Sequence, residues 1–406
     1  MMHKCRACGG NDVIEFLNLG GQPLVNTPSD SIERYPLSLY HCSDCAYVFS
    51  STPRKPSEIF TDYSYLSSAS SDWISYCSKL CREILSRHPI EKDSSIVEIA
   101  SNDGYMLNNF KELGFSHITG IEPSVKAAEI ARARGIPTID DFFTNESALR
   151  HFNPKSVSLV IALNVLAHVP DINDFVLGIS NMLSEDGIAV IQFHYLPDLI
   201  QKRQFDTIYH EHFSYLCLSS IESVFAAAGL RIFDAVRTPV QGGSLRLYAC
   251  LDNNGNAKSH PVMETVSQLL EYESFTGVRD PSIFRAFASK VYDTIDSHRK
   301  YLTEMHESGS IIAGYGAAAK AVIFLNSINA GRSMIPCIAD VNEIKQGRLL
   351  PGTDIPVVSP EEMLEINPDH ILIFPWNLRD EIAASLRSRY GYKGRFLVFS
   401  PDPEIF

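Results

Sequence analysis

The apolar positions of this chain change period several times, and each change marks an element. Trp73, Tyr76, Cys77, Leu80, Cys81 and Ile84 recur at helical spacing, so a helix is predicted over 72–88 with Asp72 as its N-cap. Short apolar runs then alternate with helical patterns. Strands are predicted at 95–100, 117–122, 136–139, 157–165 and 188–193, and helices at 105–113, 125–134 and 172–183. A helix at 220–228 and strands at 230–236 and 245–251 complete the series. Gln241, Gly242 and Gly243 lie near its last turn, which implies a final antiparallel strand. This alternation predicts an α/β fold with a parallel sheet and helices on both faces. Residues 258–308 read as helical and are divided by Pro281, a connector that packs domains together. A second β-α series opens at Ile311, with further strands near 356–358, 370–375 and 395–399.

One stretch follows neither period. Phe205 to Tyr215 brings Tyr209, His210, Glu211, His212 and Tyr215 into a segment between a predicted strand and a predicted helix, the mark of a loop held for function. The expected organisation is a small N-terminal domain over 1–70, an α/β domain over 71–255, a helical connector over 256–308 and a second Rossmann-like α/β domain over 309–406.

Composition narrows the function. With 406 residues, 45% apolar and 20% charged, the chain is long enough for two or three domains and has the balance of a folded protein. A net charge of −13 argues against a general binder of nucleic acid backbones. No window approaches a membrane span, and the N-terminus has no signal-peptide core, so the expected location is cytoplasmic.

Four of the nine cysteines form two C-x-x-C pairs, Cys5 with Cys8 and Cys42 with Cys45. Four thiolates make a closed, structural zinc site. Four reduced thiols without metal, or a nucleic-acid zinc ribbon, are the competing readings, and the interval between the pairs has few basic residues. Cys77 and Cys81 lie on the apolar face of the first helix and are expected in the core. Tyr63 and Tyr65, among serines, read equally as a pocket-lining loop or a linker.

The loop after the first strand of the α/β domain reads Glu98-Ile99-Ala100-Ser101-Asn102-Asp103-Gly104. It lacks the G-x-G-x-x-G of a pyrophosphate loop, and its acidic and amide groups suit a cation better. Glu122 ends the second strand, where it can accept from ribose hydroxyls. Asp141 and Phe142 after the third strand offer an acceptor and a ring for adenine. Together these point to S-adenosylmethionine, a sulfonium with ribose and adenine but no phosphate. Acidic turns of a purely structural domain are the bland alternative.

The segments Glu98 to Tyr105, Gly120 to Ser124 (with Glu122, Pro123 and Ser124), Asn164 to Val169 and Tyr209 to Tyr215 resemble the signature of the sugar C-methyltransferases that make branched deoxyhexoses. The resemblance covers essentially the whole chain. It implies a zinc-binding N-terminal domain, a class I S-adenosylmethionine-dependent methyltransferase domain and a C-terminal Rossmann-like domain that helps to hold a nucleotide sugar. It also implies His212 as base, with Glu211, Tyr209, His168 and Tyr63 around it. Two departures are Ala100, where the family usually has Gly, and Gln192, where Glu is common; the second puts any role of that carboxylate in doubt.

The expected contacts with the methyl donor are therefore Glu98, Ala100, Asn102, Gly104, Glu122, Pro123, Ser124, Asp141, Phe142 and Asn164. In the C-terminal half, Gly314, Gly316 and Ala319 satisfy G-x-G-x-x-A, and Asp340 closes the next strand at a distance suited to a ribose. The same loop can cradle the diphosphate of a sugar nucleotide with Lys320. Tyr65, Ser244, Tyr315, Gly316, Lys320, Arg348, Trp376 and Asn377 are the candidate substrate contacts.

Methyl transfer to carbon requires an enolate, since a saturated C–H has no lone pair. A histidine suits the α-proton abstraction. The expected activity is C3 methylation of a nucleotide-linked 4-keto-deoxyhexose, with thymidine diphosphate as the favoured nucleotide. A metal site at His210 and His212 and an NAD-dependent sugar-nucleotide oxidoreductase using the Gly314–Lys320 loop are the alternatives. The oligomeric state is left open, a monomer included.

Overall fold

The computed structural model describes residues 4–26, 33–51, 55, 59, 66–400 and 402–406. Among these, three sheets carry the fold.

The N-terminal sheet is antiparallel. Its strands β1 (Val13–Gln22), β2 (Tyr35–Cys42) and β3 (Val48–Ser50) follow one another along the chain. After the five strands β4 (Ile96–Ile99), β5 (Ile118–Ile121), β6 (Thr138–Ile139), β7 (Val157–Leu163) and β8 (Leu183–His194) comes β9 (Ser214–Tyr215), which returns to the first sheet. There Val48 pairs with Tyr215 and Phe49 with Ser214, so the end of the ionisable loop is a strand of the N-terminal sheet.

The central sheet adds β10 (Leu230–Thr238) and β11 (Ser244–Leu251) and runs β10-β11-β8-β7-β4-β5-β6. Strands β4 to β8 are parallel, and β11 lies between β8 and β10, antiparallel to both. This is the class I methyltransferase order. It puts the switch point beside β4, where the loops after β4 and β7 face one another at the carboxyl edge. Gln241 and Gly242 form the turn between β10 and β11 with φ of 57° and 87°. A Cβ on Gly242 would stand 2.3 Å from the Trp376 ring, so glycine there admits the C-terminal domain.

Some boundaries differ from expectation. The first helix spans Ser71–Arg87 and is capped by Ser70, whose side chain accepts from the Trp73 amide, while Asp72 sits in the first turn. A helix at Asn145–His151, opened by a capping box of Thr144 and Ser147, was not predicted, because seven residues carry too little apolar period. Helices Asn254–Ser259, Glu264–Thr276 and Pro281–Glu307 fill the connector, and Pro281 divides the last two as expected, opening the second in its first turn.

The C-terminal sheet comprises β12 (Ile312–Tyr315), β13 (Ile338–Ala339), β14 (Val357–Val358), β15 (His370–Ile373), β16 (Arg395–Val398) and β17 (Glu404–Ile405), in the order β14-β13-β12-β15-β16-β17. All but β17 are parallel. The long helix Pro281–Glu307 binds the ends of the chain together. Its Phe284 stacks on His41 and meets Phe16 of β1, and Arg299 donates to the Ile328 carbonyl beyond β12. One buried apolar cluster runs through all three regions. Among the described residues, no helix is long and apolar enough to cross a membrane.

Candidate active site

The four N-terminal thiols come from two knuckles, one before β1 and one between β2 and β3. Their sulfurs all lie within 4.8 Å of one another, with Cys5 and Cys45 at 3.6 Å and Cys8 and Cys42 at 3.7 Å. Zinc–sulfur bonds of about 2.3 Å at tetrahedral angles need sulfurs about 3.8 Å apart, so this quartet fits a zinc ion. The Gly10 amide faces Cys8 Sγ at 3.4 Å, as expected where a thiolate is bound.

The loop after β4 is bent by three residues in the left-handed region: Ala100 at φ 56°, Asn102 at 49° and Gly104 at 77°. Ala100 carries the strain of a Cβ that a glycine would lack. Glu98 is completely buried, and neither carboxylate oxygen has a hydrogen-bond partner among the described residues. Burial, then the nearby Glu122, raise its pKa well above the usual carboxylate range, although Tyr105 and the Leu107 amide pull the other way. Two buried acids with unused acceptor capacity would suit a cation, so the chemistry of the loop fits the sulfonium and ammonium of S-adenosylmethionine. Glu122 is fixed by the chain itself: its oxygens accept from the Asn102 amide at 2.9 Å and the Ser124 amide at 2.8 Å. Each keeps a second lone pair for a ribose hydroxyl. Pro123 follows it at the head of the next helix. Asp141 is already engaged by His151 at 2.9 Å and Arg150 at 3.3 Å, beside a half-buried Phe142. Asn164 closes β7 at φ 56° and donates its amide to the Gln192 carbonyl.

The loop between β8 and β9 lies over the same edge. His212 Nδ1 is 2.7 Å from the Thr207 carbonyl, and His168 Nδ1 is 2.8 Å from the Glu211 carbonyl. A carbonyl only accepts, so both rings carry hydrogen on Nδ1 and a lone pair on Nε2. Nε2 of His212 has no hydrogen-bond partner among the described residues, and the residue is half-buried. The His168 and Tyr209 rings flank His212 at 4.8 and 4.0 Å between centroids. Burial draws His168 down to about 4; burial and then the charge of His168 hold His212 well below the ordinary histidine range. Glu211 turns away from His212 to accept from the Asn26 amide of the N-terminal domain. Burial lifts its carboxyl to about 7 against the opposing pull of Asn26 and Lys345. His210 packs against β2, its Nε2 3.3 Å from the Tyr35 and Pro36 carbonyls. With His210 and His212 committed to separate carbonyls, the described residues offer no metal cluster there. Tyr63 and Tyr65 lie outside the described residues.

Three family descriptions match the chain. A zinc binding domain matches residues 5–60, a methyltransferase domain residues 73–235, and a C-methyltransferase C-terminal domain residues 239–401. The C-methyltransferase NovU of Streptomyces niveus is 31% identical over 412 residues, covering 99% of this chain and 96% of that one. The chain belongs to the C-methyltransferase family. It is an S-adenosylmethionine-dependent enzyme with a structural zinc site. Solved structures align more loosely. An S-adenosylmethionine-dependent methyltransferase from Clostridium acetobutylicum gives a TM-score of 0.37 at 12% identity, over 44% of this chain and 92% of that one. The magnesium protoporphyrin IX methyltransferase of Synechocystis gives 0.33 at 13%, over 43% and 78%. At these scores the overlaps add nothing to the strand order.

In this C-methyltransferase the C-terminal domain meets the histidines through one linked cluster. Lys320 Nζ donates to Asn377 at 2.6 Å and lies 4.7 Å from the Trp376 ring centre; Trp376 Nε1 donates to the buried Asp206 at 2.7 Å. Burial lowers the Lys320 pKa and raises that of Asp206, each opposed by the other's charge. Other expected contacts stand elsewhere. Tyr315 is in the core of the C-terminal sheet, Arg348 is exposed, and Ser244 turns its hydroxyl to the Val240 carbonyl at 3.0 Å. A Cβ on Gly316 would meet Pro375 at 2.4 Å, so close packing already requires a glycine there. Gln192 accepts from Tyr76, whose hydroxyl also receives Arg246; Glu83 answers Arg246 at 2.6 Å, so a charge at position 192 is not needed to neutralise it.

Sequence reasoning assigned no role to Asn26, His194, Gln204, Asp206 or Lys345. His194 carried a readable signal, a polar ring ending an apolar strand at the ligand edge of a parallel sheet. Asn26 and Lys345 carried none, since their relation to Glu211 arises only when the three domains close.

Proposed function

We propose that this enzyme methylates C3 of a nucleotide-linked 4-keto-deoxyhexose, thymidine diphosphate being the favoured nucleotide, as a step of branched deoxysugar biosynthesis. The observation that carries the reading is His212, a neutral imidazole whose Nδ1 is held by the Thr207 carbonyl while Nε2 stays without a partner. Such a ring is prepared to take an α proton from a ketone, and general-base help of this kind contributes roughly 10²- to 10⁴-fold. S-adenosylmethionine, when bound, supplies an electrophilic methyl group. Glu98, Glu122 and the bent loop with Ala100, Asn102 and Gly104 would hold it. Tyr209, against the His212 ring, can donate its hydroxyl to the enolate oxygen, whereas His168, whose one ring hydrogen is spent on the Glu211 carbonyl, packs the base in place. Lys320, Trp376 and Asn377 form the cationic and aromatic wall for the diphosphate end.

The test is deuterium exchange at the α carbon of the 4-keto sugar. Wild-type enzyme exchanges that proton, and His212→Ala loses exchange and methylation together. Full methylation by the variant would remove His212 from this role. The oxidoreductase reading is less well supported, because Asp340, its ribose acceptor, is occupied by the Asn342 amide at 2.9 Å and by Lys345 at 3.4 Å. Tight NAD binding in a titration would revive it.

A further inference from the structure

His194 is the last residue of β8, at the carboxyl edge of the sheet, one strand away from the loop that contains His168. Its Nε2 lies 2.8 Å from Oε1 of Gln204, and Nε2 of Gln204 donates to the Gly242 carbonyl at 3.0 Å. The Gly242 carbonyl can only accept, so it fixes which way the Gln204 amide faces. The amide oxygen can only accept in turn, so it fixes hydrogen on Nε2 of His194. Gln204 is almost fully buried, and Gly242 is wedged against Trp376. Nothing in this chain of contacts is free to invert. The result is a tautomer opposite to that of His212, with the lone pair on Nδ1.

That Nδ1 has no hydrogen-bond partner among the described residues, and the residue is half-buried. Ser244, directly across the β8–β11 ladder, does not compete for it, since its hydroxyl is turned to Val240. Burial, and then the charge of Lys320, hold the ring neutral with a pKa of about 4. Geometry ties His194 to the same site: the main-chain carbonyl of its partner Gln204 receives the Thr207 hydroxyl at 2.7 Å, and the Thr207 carbonyl in turn holds His212 Nδ1 at 2.7 Å. Packing alone does not require a buried glutamine to orient a ring at this edge.

We propose that His194 is a specificity-determining residue: its Nδ1 accepts a hydrogen bond from a hydroxyl or amino donor that the substrate carries at, or next to, the carbon to be methylated. An acceptor with a fixed lone pair favours substrates with a donor there and disfavours those without one, because an unmatched polar atom in a closed site costs more than a matched one returns. The inference rests on the sugar-ketone reading above.

The experiment measures kcat/KM of the full-length zinc-loaded enzyme for two pairs of thymidine diphosphate 4-keto sugars, one with and without the 2-hydroxyl, the other with and without a donor at C3. In one pair the wild type prefers the donor-bearing sugar by about 10- to 100-fold. In His194→Ala that ratio falls to near unity, while α-deuterium exchange, which belongs to His212, persists. His194→Asn, which keeps an acceptor oxygen, restores part of the ratio and covers the case in which the alanine variant folds poorly. Ratios unchanged by both substitutions in both pairs would overturn the assignment. Absence of exchange with every sugar in the wild type would instead sink the sugar-ketone reading itself.

Discussion

The imidazole of His212 is oriented by the carbonyl of Thr207, 2.7 Å from Nδ1, and not by the carboxylate of its neighbour Glu211. Both partners of that bond belong to one short loop, so the ring's direction is set locally. Glu211 is left to face Asn26, and only its main-chain carbonyl serves the cluster, by receiving His168.

The depressed pKa values of His168, His194 and His212 predict an unusual acid limb. A base acts when neutral, so kcat/KM stays high as pH falls past about 6.5, where an unperturbed histidine protonates, and declines only below it. Stability follows the same sign: the unfolded chain binds protons at higher pH than the folded one. Stability from these rings is complete above about pH 6.5 and is lost progressively toward pH 4. A pH series of rates and melting temperatures measures both. An acid limb centred above 6.5 would show that the base is solvated.

Glu98, buried without a partner beside Glu122, predicts that methyl-donor binding is linked to protons. Its raised pKa falls when a cation arrives, so binding releases a proton and affinity rises with pH. Calorimetry in buffers of different ionisation enthalpy detects the release. Glu98→Gln is expected to weaken binding by about 10-fold or more and to abolish the buffer dependence.

Removing zinc should inactivate the enzyme although the metal is not in the reaction. The quartet holds the sheet that receives β9, and Ser50 of that sheet donates to the His212 carbonyl at 2.7 Å. A strong chelator should release one zinc per chain and abolish α-proton exchange, with both restored on adding zinc back. Cys42→Ser should show the same loss without chelator.

Glu273 predicts a stability defect. It is fully buried in the connector and accepts from the Tyr195 hydroxyl, the Leu218 and Ser219 amides and the Ser219 hydroxyl, all at 2.6–2.9 Å. Glu273→Ala leaves these donors unpaired and should cost on the order of 3 kcal/mol, read as a lower denaturation midpoint. The pH profile of the remaining activity should not move.

Much of the central domain was legible because its strands are short apolar runs and its helices keep a strict period. The cysteine quartet and the Tyr209–His212 segment were legible because their residue types have few other uses at that density. What escaped depended on closure between distant segments. Nothing near Glu211 marks Asn26 as its partner, and nothing near Asp206 marks Trp376. Gly316 is ambiguous for a physical reason: a glycine that admits Pro375 and one that admits a pyrophosphate read alike in sequence. Asp340 likewise looked free for a ribose until Lys345 folded back onto it.

The pairing of Val48 with Tyr215 also bears on how the enzyme is made. On the ribosome the N-terminal sheet is synthesised first, yet its last strand emerges only after most of the central sheet has been translated. Until then β3 is an open edge, a place where a nascent chain can pair wrongly. Early zinc capture by the cysteine knuckles would hold that edge in register while it waits, and the reaction site comes into being at the moment the edge is closed.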